Sequence, residues 1–149
     1  MYEMQKGKTL DKLPAKVDFN NTKYLVSTKY DGNRIFIYKY GNSISCFTSD
    51  WKQFDFPGIG FLDKLLENTS NFVLEAEFNN NSIGKLGNRV HSAILTTFRT
   101  NFNKGINSST ELKNCQIKVF DCIFIASDKQ VLQFSIPYKE RLANARTLK

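Results

Sequence analysis

The stretch Tyr24-Leu-Val-Ser-Thr-Lys29-Tyr-Asp31-Gly32-Asn33-Arg34-Ile-Phe-Ile-Tyr38 decides how the chain is read. β-Branched and aromatic residues flank Asp31-Gly32 and predict strands over Lys23 to Lys29 and Arg34 to Tyr40. Asp-Gly between two such runs is a strong short-range signal for a hairpin with a type I′ turn. The same residues spell K-x-D-G-x-R, whose four fixed positions, at roughly 5–7% each, coincide by chance about once in 10⁵ starts. The two readings are compatible, because a strand that ends on lysine beside a tight turn holds an amine at a pocket wall.

Working outward, similar runs predict strands over Ser43 to Thr48, Phe72 to Phe78, Gln116 to Ile125 and Val131 to Phe134, separated by Gly, Asn and Asp clusters. Ile59, Leu62, Leu65 and Leu66 have the spacing of one helix face, and Tyr138 to Leu148 is rich in helix formers. The polar region Asn79 to Thr110 predicts loops with one helix around Val90 to Phe98. The expected class is α+β, dominated by antiparallel strands.

Composition narrows the functional classes. With 149 residues, 41% hydrophobic and 23% charged, the chain fits one globular domain spanning residues 1–149. The net charge of +7 favours a polyanionic partner. No apolar run is long enough to span a membrane and Met1 to Leu10 lacks a signal-peptide core, so a cytoplasmic protein without a membrane partner is expected. Cys46, Cys115 and Cys122 form no C-x-x-C pair and read as reduced packing residues.

Lys29-Tyr-Asp31-Gly32-Asn33-Arg34 resembles motif I of the covalent nucleotidyltransferases, in the form carried by ATP-dependent DNA ligases of bacteriophage type. In that family the lysine attacks the α-phosphorus of ATP, expels pyrophosphate and holds AMP, which passes to a 5′-phosphate at a nick before sealing. Two later segments follow in the family's order. Phe72-Val-Leu-Glu75-Ala76-Glu77-Phe78 resembles motif III, with Glu75 and Ala76 where Asp and Gly are usual and Glu77 at the acidic position. Ile117-Lys-Val-Phe120-Asp121-Cys-Ile-Phe124 resembles motif IIIa, whose aromatic residue stacks on adenine. Pro137-Tyr138-Lys-Glu-Arg141-Leu142 is similar to the helix that follows motif IIIa and often carries an arginine.

The resemblance implies a nucleotidyltransferase (ATP-grasp-like) adenylation domain in which Lys29 is the nucleophile and Thr28, Lys29, Tyr30, Arg34, Glu77 and Phe120 contact the nucleotide. It implies ATP and Mg²⁺, the ion held by Asp31 and Glu77, since Mg²⁺ prefers oxygen ligands. Nicked duplex DNA is the implied partner, with Arg34, Lys85, Arg89 and Arg99 on its backbone. Motif IV, which supplies a metal-binding glutamate, and motif V, which supplies lysines for the triphosphate, have no match, nor has an oligonucleotide-binding (OB) domain. A second polypeptide carrying them is expected, making this chain the motif I to IIIa part of a split ligase acting in the cytoplasm, or the host's cytoplasm if phage-encoded. RNA ligase or capping activity shares the lysine chemistry, and a non-catalytic nucleic-acid-binding module accounts for the charge without it. His91 reads as structural, because this chemistry needs no imidazole base.

Overall fold

The computed structural model describes residues 28–55, 60–80, 87–105, 115–127, 130–132 and 136–148. They form strands β1 (Asn33–Tyr40), β2 (Ser43–Thr48) and β3 (Gln53–Phe54), helix α1 (Gly60–Leu66), strand β4 (Asn71–Asn80), helix α2 (Gly87–Asn103), strands β5 (Cys115–Ser127) and β6 (Gln130–Leu132), and helix α3 (Tyr138–Thr147). All strands join one antiparallel sheet in the order β3-β2-β1-β4-β5-β6. The α+β class follows directly.

Strand alternation sorts the side chains. Ile35 and Ile37 of β1 and Phe72, Leu74, Ala76 and Phe78 of β4 are buried in one core with Leu62 and Leu65 of α1 and Leu95 and Phe98 of α2. Burying side chains of this size contributes about 1.5–3 kcal/mol each. Ala145 and Leu148 carry the end of the chain into the same core, where the Asn68 side-chain amide donates to the Leu148 carbonyl at 3.2 Å. The alternate residues face the other way: Phe36 is opposite Phe47, and the Trp51 ring stacks on Phe36 at 4.6 Å.

The β1–β2 hairpin turns at Gly41, whose φ of +55° suits glycine. The next turn is more costly, because Trp51 has φ of +61°, where a bulky side chain is an outlier. It is held by the Trp51 amide donating to Thr48 O at 2.9 Å, the Thr48 amide donating to Lys52 O at 3.0 Å, and the stack on Phe36.

Three features differ from the sequence expectation. Asp31-Gly32 is not a type I′ turn: neither residue has a positive φ, and residues 28–31 are irregular up to the start of β1. Residues 23–27 of the expected first strand lie outside the described residues. The polar region holds a 17-residue helix, longer than the segment from Val90 to Phe98; among its described side chains Leu95 and Phe98 are buried in the core and Ile94 packs against it. β3 was too short to read, and the expected strand over Val131 to Phe134 is seen as β6, residues 133–135 lying outside the described residues. Cys46 and Cys122 are buried and free, in keeping with packing roles.

Candidate nucleotide site

Gly32 fixes the approach of the K-x-D-G-x-R segment to the sheet. A Cβ built on it would lie 2.2 Å from Phe78 O and 3.1 Å from the Asn79 Cβ, so only glycine lets this backbone pass against β4. Glycine is needed here for close approach, not for a turn. The segment leads into β1, whose register sets Arg34 opposite Glu77 and Phe36 opposite Glu75. β4 lies between β1 and β5, so Glu77 stands mid-sheet, not on an edge.

On the other side of β4, the β4–β5 register shifts twice. Glu75 pairs with Asp121 and Ala76 with Val119, leaving Phe120 as the extra residue of a bulge. Phe120 is half-buried and stands apart from the core cluster. Its carbonyl accepts from the Tyr138 hydroxyl at 2.8 Å, tying α3 to the bulge.

These placements converge on one cavity of about 360 Å³, within the range of small-molecule sites, lined by Thr28, Lys29, Tyr30, Arg34, Glu77 and Phe120 together with Gly32 and Tyr138. The Arg34 guanidinium carbon lies 5.6 Å from the Phe120 ring centroid. A cation over an aromatic face at this range is attracted to it. Lys29 is exposed, leaving its amine accessible.

The floor is charged and buried. Arg34 meets the buried Glu75 at 3.1 Å. Across the strand Asp121, also buried, accepts from Arg141 Nε at 2.8 Å and from Nη2 at 3.0 Å, while Arg141 Nη1 donates to Ile136 O at 2.9 Å. Two neighbouring buried carboxylates are thus each met by a guanidinium, which offsets the cost of placing like charges side by side. Burial pushes the Glu77 carboxyl above its ordinary 4.5, opposed by the positive charges of Arg34 and Lys29 and by a hydrogen bond from the Gly32 amide.

Six residues expected to contact a nucleotide therefore share one cavity, although Thr28 and Phe120 are far apart in sequence. Asp31 is exposed and outside the cavity lining, yet its charge reaches Glu77. No group of three or more His, Cys, Asp or Glu is gathered among the described residues, and Glu77 is the one carboxylate on this cavity's wall; a hydrated Mg²⁺ needs no more than one or two, completing its shell with water and phosphate. Arg99 lies on α2 and lines a different cavity. Lys85 lies outside the described residues, and Arg89 is in α2 without a described side chain. Sequence reasoning did not foresee the Glu75–Asp121 pairing or the place of Tyr138 on the cavity wall; the Tyr138 to Arg141 segment was the available signal. No described helix is long and apolar enough to cross a membrane. Neither a protein-family model nor a curated protein matches the chain.

Proposed function

We propose that this cavity binds ATP and that the chain forms a covalent lysyl-AMP as the adenylating part of an ATP-dependent DNA ligase. The observation that carries the reading is the convergence of Lys29, Arg34, Glu77 and Phe120 on one cavity from three separate strands or their ends. In this reading the Lys29 amine attacks the α-phosphorus, an N–P bond forms as the P–O bond to pyrophosphate breaks, and the amine's proton is lost. Phe120 stacks on adenine. Arg34 supplies a fork of donors to ribose or phosphate, and Glu77 with Asp31 holds Mg²⁺, which neutralises phosphate charge.

The nucleotidyltransferase (ATP-grasp-like) fold belongs to the same proposal. Lysines for the triphosphate and a further metal-binding glutamate have no counterpart among these 149 residues. We place them, with an OB domain, on a second polypeptide or on further sequence. The test supplies ATP labelled at the α-phosphate, Mg²⁺, nicked duplex DNA and a polypeptide carrying those elements. Label is expected first on the protein and then on the 5′-phosphate of the nick. Transfer to nicked RNA alone would favour an RNA ligase, and label that never leaves ATP would favour a non-catalytic binding module.

A further inference from the structure

Phe120 is the extra residue of the β5 bulge, so no residue of β4 stands opposite it, and among the described residues β6 pairs only with Ile125 to Ser127 of β5. A bulge residue outside the ladder has a peptide that can turn, and its side chain follows. Phe120 is also half-buried and apart from the core cluster, so core packing does not hold its ring. Two contacts restrain it. The Tyr138 hydroxyl donates to the Phe120 carbonyl at 2.8 Å, and the Arg34 guanidinium carbon lies 5.6 Å from the ring centroid. Tyr138 is the first residue of α3 and follows Pro137, whose φ of −56° sets the helix entry. That first turn is anchored without the hydroxyl. Arg141 grips the buried Asp121 through two hydrogen bonds, donates to Ile136 O at 2.9 Å, and lies 5.6 Å from the Tyr138 ring centroid. Ala145 and Leu148 bury the far end of the helix in the core. A hydroxyl that its helix does not need for docking, carried by a residue on the wall of the nucleotide cavity, has a local task.

We infer that Tyr138 is a positioning residue of the nucleotide site: its hydroxyl fixes the Phe120 peptide and so the plane against which a base stacks. The inference rests on the nucleotide reading. The rival role, docking α3 on β5, already belongs to Arg141, which binds Asp121 at the next position of the strand. Tyr138 instead acts on the base through Phe120, and a ring already fixed spares the cost of ordering it when the base arrives. Loss of the hydroxyl should therefore loosen one ring and leave the helix in place.

The test titrates AMP into wild type, Tyr138→Phe, Phe120→Ala and the double variant, with urea melts and ring spectra of isotope-labelled phenylalanine on the same samples. The Phe120 ring signals are those absent from Phe120→Ala. Tyr138→Phe should fold, bind AMP about fivefold more weakly, the scale of one hydrogen bond, and shift the Phe120 ring signals before any nucleotide is added. In the Phe120→Ala background the same substitution should change AMP affinity by no more than about twofold, since the ring it acts through is gone. Equal losses in the two backgrounds would overturn the assignment, because Tyr138 would then act on the nucleotide without Phe120. So would wild-type affinity in Tyr138→Phe, or a Tyr138→Phe chain that does not fold. If the wild type takes no AMP, the nucleotide reading fails. Phe120 signals that still shift in Tyr138→Phe then leave the hold of Tyr138 on Phe120 standing, and unshifted signals remove it.

Discussion

Phe120 owes its place on the cavity wall to the extra residue of a bulge, and that makes it separable from the core. Phe120→Ala is expected to weaken ATP binding by about 1–3 kcal/mol, the scale of a base stacked on an aromatic ring, while Phe120→Tyr keeps most of it. Calorimetric titration beside a urea melt checks this, and a loss of folding without a selective loss of ATP would return Phe120 to the core. Arg141 has the opposite character. Its guanidinium holds the buried Asp121 through two hydrogen bonds, so Arg141→Ala strands a buried carboxylate and should cost about 3–5 kcal/mol in the urea melt. Glu77 carries a pH signature. Its folded carboxyl sits above the ordinary 4.5 because burial penalises the charge, so the folded state holds the proton more firmly than the unfolded chain. That contribution to stability is complete below the unfolded value and is lost as pH rises through the raised one. Melts at a series of pH values should therefore show wild type losing stability relative to Glu77→Gln across that window, and parallel profiles would contradict the assignment.

The segment from Thr28 to Gly32 is positioned by the backbone of β4, and its tolerance for change is set there. Gly32→Ala forces a methyl group against Phe78 O, so the segment must lift from the sheet. The expected result is about 1–3 kcal/mol of lost stability, the usual cost of overpacking, with a larger fractional loss of nucleotide binding, measured by melting and AMP titration on the same sample. A variant that keeps full AMP affinity would show that the segment's seating does not shape the cavity. β1, β2, β4, β5, α1 and α3 were legible in the sequence because period-two alternation and helix-forming runs are local signals. The bulge at Phe120 and the two-residue β3 were not, since both depend on the partner strand. Asp31-Gly32 was misleading as a turn for the same reason: the glycine answers to Phe78, which is remote in sequence.

Across the whole molecule, an antiparallel sheet divides the work between its faces. One face carries the apolar core with α1 and α2, and the other carries Arg34, Glu75, Glu77 and the aromatic stack of Phe36 and Trp51. Both cavities meet at Arg34, at the end of the sheet where β1 begins. The identity of the candidate site residues was legible in the order of the three motifs, but their convergence depends on strand register, and register is a property of the folded chain. Arg99 was expected on a DNA backbone beside Arg34, but its place in a cavity apart from Lys29, Glu77 and Phe120 depends on how α2 packs, which no local pattern encodes. The central claim is that Lys29 is the nucleophile. Its most direct test is intact-mass measurement followed by peptide mapping after incubation with ATP and Mg²⁺, in the presence of the polypeptide that supplies the triphosphate-binding lysines. A single adenylyl group on Lys29, stable to base, labile to acid as a P–N bond is, and absent from Lys29→Ala is the predicted result; an adduct on another residue, or one that Lys29→Ala retains, would contradict it.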